Sequence, residues 1–136
     1  MATPEFIVSL RQKIGHDMLW LPGVSIVVVD EAGRLLLGQR ADNGRWAVVS
    51  GIPEPGEQPA VAIRRECLEE TGVDVDVLAI TSVTAGEPFA FPNGDNCVFM
   101  DINFVGRARP GSADRAHVAD DESTQVGWFA PDALPL

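Results

Sequence analysis

Apolar residues recur along the chain with two different spacings, and each spacing predicts one kind of element. Spacings of three and four residues predict a helix that begins with Thr3 as its cap and ends before Gly15, and a second helix over residues 58–71. Pro59 in its first turn and Gly72 after its end support the second helix. β-Branched or alternating apolar runs predict strands over residues 24–29, 34–39, 46–49, 73–83, 97–105 and 125–129.

The predicted strands and helices are interleaved along the chain. A hairpin turn is predicted at residues 30–33, and long irregular segments are predicted at 85–96 and 107–121. One further helical turn is predicted over residues 131–134. These elements predict an α+β fold in which helices cover both faces of a mixed sheet. A length of 136 residues fits a single domain over 1–136.

Composition places the chain among ordinary globular proteins. Hydrophobic residues make up 46% and charged residues 22%, which argues against disorder, collagen and a coiled coil. A net charge of −10 repels phosphate backbones, so we expect no nucleic-acid partner. Apolar runs are too short for a membrane helix or a signal peptide, so we expect no membrane partner and a cytoplasmic location. Cys67 and Cys97 lack zinc-site spacing and are expected to be thiols.

Four glutamates lie in or beside the second predicted helix. At about 100° per residue, Glu66, Glu69 and Glu70 fall within an arc of roughly 100°, and Glu57 lies just before the helix. Like charges at this distance repel, so the group either takes up protons or binds a divalent cation. The alternative is a solvated acidic face in which Arg65 pairs with Glu69 four residues later.

The same segment carries a fixed spacing from Gly51 to Val73. Five residues separate Gly51 from Glu57, and seven more precede the run RECLEETGV at residues 65–73. This pattern resembles the Nudix hydrolase signature at every fixed position. Cys67, where the family more often has an aliphatic residue, is a mild departure. The resemblance implies an α/β/α sandwich that hydrolyses the pyrophosphate bond of a nucleoside diphosphate linked to another moiety.

By this resemblance the glutamates are metal ligands. Glu66, Glu69 and Glu70 would hold one or more divalent ions, and Glu57 would complete the metal shell or orient it. The ion would be Mg²⁺, with Mn²⁺ as the alternative. It would neutralise the pyrophosphate and lower the pKa of a bound water.

The resemblance also implies roles around the metal. Arg65 would hold a glutamate in place by ion pairing, and Gly51 would provide the tight turn between loop and helix. The general base would be a helix glutamate or Glu122. The alternative for Glu122, with its neighbours Asp120 and Asp121, is a solvated acidic turn.

Five residues outside the signature are candidates for substrate binding. Arg40 and Arg45 could pair with phosphate or serve only solubility. Trp46 could stack on a base, although a tryptophan at a strand start is more often part of the core. Phe89 and Phe91 could stack on an adenine or pack within their own proline-rich loop.

The resemblance ranks substrates without selecting one. Pro88 lies fifteen residues beyond Val73, an offset at which ADP-ribose hydrolases of the family carry a proline. ADP-ribose or a nucleotide sugar is therefore the leading substrate, and a nucleoside triphosphate is the second. The absence of tyrosine argues against dinucleoside polyphosphates. The alternative function is a non-catalytic nucleotide sensor or interaction module on the same fold. Many family members are homodimers, so a homodimer is compatible with the resemblance.

Overall fold

The structure is a computed structural model that describes residues 3–135. Its described part contains the helices α1 (Glu5–Ile14) and α2 (Pro59–Thr71) and a 3₁₀ helix at Ala113–Arg115. Neither α-helix is long and apolar enough to cross a membrane. The strands are β1 (Leu19–Val29), β2 (Leu35–Arg40), β3 (Trp46–Ala47), β4 (Val49–Gly51), β5 (Val75–Ala85), β6 (Phe89–Ala90), β7 (Asn96–Ala108) and β8 (Ser123–Phe129).

All these strands belong to one mixed sheet. Its main path is β3-β2-β1-β7-β5, while β4 pairs with β1, β6 with β7 and β8 with β2. β1 and β7 are parallel and stay in register from Leu19 opposite Cys97 to Val29 opposite Arg107. The other pairs are antiparallel. The unbroken register of β1 and β7 determines which of their side chains share a face.

The two α-helices cover opposite faces of the sheet, because alternate residues of β1 point to opposite sides. On one face Val24 and Ile26 form the main core with Ile63 of α2. On the other face Leu21 packs in a second cluster with Ile7 of α1. This arrangement confirms the predicted α+β fold with α/β/α layers.

The central strand begins earlier than predicted. The β-branched run predicts a strand over 24–29, but β1 begins at Leu19 and includes Pro22 and Gly23. Pairing with β4 starts only at Val24, so among the strands of residues 3–135 only β7 flanks the earlier part of β1. Proline, which has no N–H to donate, is tolerated where a strand has a free edge.

Three local predictions are wrong. Pro4, not Thr3, is the N-cap residue of α1, and no side chain caps this helix. The segment 131–134 forms a turn in which the Ala133 N–H donates to the Ala130 carbonyl at 2.9 Å, and Pro135 disfavours a helical continuation. The predicted loop over 85–96 contains β6, which pairs with β7.

Candidate active site

The end of β4 meets α2 at Gly51, where there is no room for a side chain. A Cβ on Gly51 would lie 2.7 Å from Glu66 Oε1 and would overlap the carboxyl carbon of Glu66. Gly51 is buried and does not have a positive φ. Its need for glycine therefore comes from the close approach of Glu66 and not from an unusual backbone conformation.

α2 is bounded by ordinary helix signals and carries its chemistry on one edge. Pro59 occupies the first turn, and Gly72 ends the helix in the left-handed conformation, with its N–H donating to the Leu68 carbonyl at 2.9 Å. Glu66 and Glu70 are buried, whereas the side chain of Glu69 is 54% exposed. The helix thus carries two carboxylates into the protein and leaves one at the surface.

Arg65 lies at the centre of the glutamate cluster. Its Nε and Nη2 atoms each donate to an oxygen of Glu57 at 2.8 Å, which makes a bidentate ion pair. Its Nη1 atom lies 3.2 Å from Glu66 Oε1 and 3.3 Å from Glu69 Oε2. These contacts raise the pKa of Arg65 and hold the pKa of Glu57 below its ordinary value. One guanidinium thus fixes three of the four signature glutamates.

The two buried glutamates are electrostatically unfavourable when ionised. Burial raises the pKa of Glu66 to about 6 and that of Glu70 to about 7. The charge of Glu69 adds to the shift of Glu66, and the charges of Glu66 and Asp120 add to that of Glu70. Glu66 Oε2 is buried and has no hydrogen-bond partner among the described residues. A cation at this point would compensate both carboxylates.

The carboxylates do not form a finished metal shell. Within residues 3–135, no three acidic, histidine or cysteine side chains are arranged as a preformed metal site. Glu57 directs both oxygens to Arg65. The donor chemistry nevertheless fits a hard divalent ion, which prefers carboxylate oxygens as ligands. α2 carries two buried carboxyl groups with raised pKa values, Glu66 and Glu70, and Glu66 Oε2 has no hydrogen-bond partner among the described residues.

We predict that the metal-free protein loses stability as the pH rises from 4.5 to 8. The folded-state pKa values of Glu66 and Glu70 lie above the ordinary value of 4.5, so folding favours the protonated carboxyls. Their stabilisation is complete below pH 4.5 and is lost as the pH passes about 6 for Glu66 and about 7 for Glu70. Melting temperatures in chelator should fall by roughly 10–20 °C over this range. Glu66→Gln and Glu70→Gln should each flatten the curve, and an unchanged curve in both would contradict the prediction.

A cleft adjoins this cluster and consists of two neighbouring cavities that share lining residues. The first has a volume of about 370 Å³ and is lined by Glu70 and Glu122, among others. The second, of about 440 Å³, is lined by Phe89 and Gly51. Residues that line both cavities are Arg40, Asp42, Ser50, Ile52, Phe91 and Pro92. Because Gly51 touches Glu66 and also borders the second cavity, the cleft and the glutamate cluster share a wall.

The structure brings some of the predicted substrate residues to this cleft. Arg40 lines both cavities, but its Nε and Nη2 atoms donate to Asp42 at 2.9 and 2.7 Å. Trp46 does not line either cavity and packs edge-on against Phe129, with ring centroids 5.0 Å apart. Arg45 lies in an exposed loop away from both cavities, where its carbonyl accepts the Arg40 N–H.

The two phenylalanines predicted to bind a base, Phe89 and Phe91, lie beside a third ring, that of Phe99. Phe89 meets Phe91 edge-on at 5.0 Å and stacks on Phe99 at 5.8 Å, all three beside the second cavity. Phe99 and Asp101 are cleft residues that the sequence analysis missed. Their spacing of two on one strand places them on the same face, but the cleft is identifiable only once β7 is paired with β1.

Comparison with known proteins places this arrangement in a family. The family model of the NUDIX domain matches residues 19–136, which include β1, the glutamate helix and β8. The chain belongs to the NUDIX family. The predicted Nudix membership is confirmed, as is the predicted enzyme class, a hydrolase of phosphoric anhydrides.

Similar NUDIX proteins act on different nucleotides. The chain is 38% identical to a MutT-like protein of Streptomyces ambofaciens over 93% of its own length and 74% of that protein. It is 31% identical to the NAD-capped RNA hydrolase NudC of Vibrio cholerae and to the mouse 8-oxo-dGDP phosphatase NUDT18, over 81% and 97% of its length. It spans only 38% and 37% of those two proteins.

A solved structure supports the NUDIX fold directly. The MutT NUDIX hydrolase from Burkholderia pseudomallei superposes with a TM-score of 0.69 at 26% sequence identity. The match covers 87% of this chain and 88% of that one. Over most of its length the chain therefore shares the fold of a NUDIX hydrolase of similar size.

Proposed function

We propose that the chain, as a single domain over 1–136, hydrolyses the pyrophosphate bond of a nucleotide. The observation that supports this most is the position of the cluster around Arg65. Gly51 contacts Glu66 of this cluster and also lines the second cavity of the cleft. The same cavity is lined by Arg40 and by aromatic rings. A phosphate-processing group and a base-sized aromatic cavity of about 440 Å³ thus lie side by side.

The proposed cofactor is Mg²⁺, with Mn²⁺ as the alternative. Glu66, Glu69 and Glu70 would hold it. Glu57 would complete the metal shell or orient it through its ion pair with Arg65. A bound divalent ion would neutralise charge on the pyrophosphate and lower the pKa of a bound water molecule.

Three further roles fall to side chains of this protein, namely positioning of the glutamates, phosphate binding and proton transfer. Arg65 positions Glu57, Glu66 and Glu69 through the contacts described above and does not reach the cleft. Arg40 lines both cavities and carries a guanidinium that could bind a phosphate in place of Asp42. Glu70 and Glu122 both line the first cavity, which supports either carboxylate as the proposed acceptor of the proton of the attacking water.

The linked moiety is not fixed by these contacts. Pro88, on which the ADP-ribose prediction depends, does not line either cavity, whereas the next four residues line the second. ADP-ribose or a nucleotide sugar stays the first substrate to test, and a nucleoside triphosphate the second. The homodimer and the cytoplasmic location also stay predictions.

Stacking by the loop phenylalanines predicts a specific kinetic effect. Phe89→Ala combined with Phe91→Ala should raise KM for the cleaved nucleotide by about tenfold or more, since each stacked base gains about 1–3 kcal/mol. The value of kcat should change less, because the rings contact the base and not the reacting phosphorus. Steady-state kinetics on the double variant measure both quantities. An unchanged KM would return the rings to packing of their own loop.

A pH–rate profile distinguishes the two candidate bases. If Glu122 takes the proton, Glu122→Gln removes the acidic limb of the kcat profile. If Glu70 does so, the limb survives in Glu122→Gln and kcat falls only slightly. Persistence of the wild-type limb in Glu122→Gln would exclude Glu122 as the titrating base.

The function is tested by incubating the protein and Mg²⁺ with a nucleotide panel and separating the products. The panel contains ADP-ribose, nucleotide sugars, NADH, an NAD-capped oligoribonucleotide, diadenosine polyphosphates, and canonical and oxidised nucleoside di- and triphosphates. Cleavage of one class that is lost in Glu69→Gln would support the proposal. No cleavage, together with thermal stabilisation by a nucleotide, would replace it with the nucleotide sensor.

A further inference from the structure

We propose that Asp101 reads the base of the bound nucleotide and selects guanine, in its ordinary or 8-oxidised form. This inference rests on the proposed function for the presence of a nucleotide in the cleft. It adds the identity of the base, on which the relatives differ, since one is named for NAD-capped RNA and another for 8-oxo-dGDP.

The surroundings of Asp101 suit a flat aromatic ligand. Phe89, Phe91 and Phe99 line the same cavity as Asp101, and Phe89 is 42% exposed. Its ring is in contact with the other two. Such rings offer faces and edges on which a base can stack, but they do not distinguish one base from another. Discrimination must therefore come from a polar group in the same cavity.

The fold positions the Asp101 carboxylate over a residue without a side chain. Asp101 on β7 lies opposite Gly23 on β1, and both line the second cavity. A Cβ on Gly23 would lie 2.6 Å from Asp101 Oδ1 and 3.2 Å from Phe99 Cδ1. The absence of a side chain at Gly23 therefore leaves room for the Asp101 carboxylate next to the ring of Phe99.

Asp101 has unused hydrogen-bonding capacity. It is half-buried, and among residues 3–135 its carboxylate makes no hydrogen bond or ion pair. Asp42, the other carboxylate of the second cavity, is bound by Arg40 through two hydrogen bonds. Asp101 is therefore the carboxylate in this cavity that is available to a ligand.

An ionised carboxylate accepts hydrogen bonds and donates none. Guanine presents two adjacent donors, N1–H and N2–H₂, and can satisfy both oxygens of one carboxylate. Adenine and cytosine place a ring-nitrogen acceptor beside their amino group, so that one carboxylate oxygen would face a lone pair. Oxidation of guanine at C8 leaves the N1 and N2 donors intact. The geometry of one free carboxylate in an aromatic cavity thus favours guanine over adenine.

Binding of GMP, IMP and AMP to the protein, measured by calorimetry, tests this without any need for turnover. IMP differs from GMP only in lacking the 2-amino group. We expect GMP to bind about 10- to 100-fold more tightly than IMP, the ratio for one hydrogen bond to a charged group, and more tightly still than AMP. Asp101→Asn should reduce the GMP/IMP ratio by about tenfold.

Asp114→Asn is the matched control, since Asp114 is an exposed carboxylate in the 3₁₀ helix and does not line the cleft. It should keep the wild-type ratio. Equal affinities for GMP and IMP, no GMP binding at millimolar concentration, or a ratio unaffected by Asp101→Asn would each overturn the role of Asp101. Hydrolysis of the panel in Mg²⁺ is scored separately. Cleavage without base preference refutes this inference alone, and base preference without cleavage refutes the proposed function alone.

Discussion

Replacing Glu70 with Gln is expected to lower kcat by about three orders of magnitude and leave the fold intact. The substitution keeps the size of the side chain and removes one charge from the group that would hold the cation. Stabilisation by a metal ion amounts to several kcal/mol of the barrier, and each 1.36 kcal/mol corresponds to a tenfold change in rate. Product formation per enzyme at saturating nucleotide and Mg²⁺ measures the effect.

The same variant should be more thermostable than the wild type at pH 8 without metal. Burial raises the pKa of Glu70 to about 7, so at pH 8 the wild type carries a buried charge that glutamine lacks. Higher stability together with lost activity identifies a residue kept for chemistry. Glu31→Gln, at an exposed glutamate of the β1–β2 turn, serves as the control and should change neither quantity. Near-full activity of Glu70→Gln would remove Glu70 from the catalytic group.

Loss of Arg65 should damage both stability and turnover. Arg65→Met removes the two hydrogen bonds to Glu57 and the contacts to Glu66 and Glu69, and leaves the buried Glu66 without a counter-charge. Because Arg65 is partly exposed, we expect a decrease in the free energy of unfolding of roughly 2 kcal/mol, below the value for a fully buried pair. Urea unfolding at pH 8 measures it. Turnover should fall as well, because the glutamates lose the group that positions them.

The neighbouring arginine provides a matched control for this experiment. Arg64 makes an equally good bidentate pair with Asp74, at 2.7 and 2.9 Å, but at the surface. Arg64→Met should therefore leave both turnover and the unfolding midpoint close to wild type. Arg65→Lys should recover part of the stability, since it keeps the charge and loses the bidentate geometry. Equal effects of Arg64→Met and Arg65→Met would contradict the central position of Arg65.

Short-range spacing accounts for what the sequence predicts well. The helix boundaries at Pro59 and Gly72 and the position of three glutamates on one stretch of helix depend on residues within four positions of each other. Local periodicity cannot say how deep each glutamate lies. The buried state of Glu66 and Glu70, and the exposure of Glu69, depend on how α2 packs against β4 and the sheet.

The residues that line the cleft are brought together by strand pairing, which the sequence predicts less well than the boundaries of α2. Phe99 meets the loop phenylalanines through the β6–β7 hairpin, in which Phe89 lies opposite Cys97. The parallel register of β1 and β7 places Asp101 opposite Gly23. Trp46 has the chemistry of a base-stacking residue, but its contact with Phe129 of β8 takes it away from the cleft. No spacing within the chain reveals either fact.

The most direct test of the central claim is hydrolysis of the cleaved panel nucleotide in water enriched in ¹⁸O, followed by mass spectrometry of the products. If water attacks a phosphorus of the pyrophosphate, one ¹⁸O atom enters one phosphoryl product at each turnover, and Glu70→Gln forms labelled product about a thousandfold more slowly. Products without label in their phosphoryl groups, or equal rates in the two proteins, would contradict hydrolysis of the pyrophosphate by the α2 glutamates.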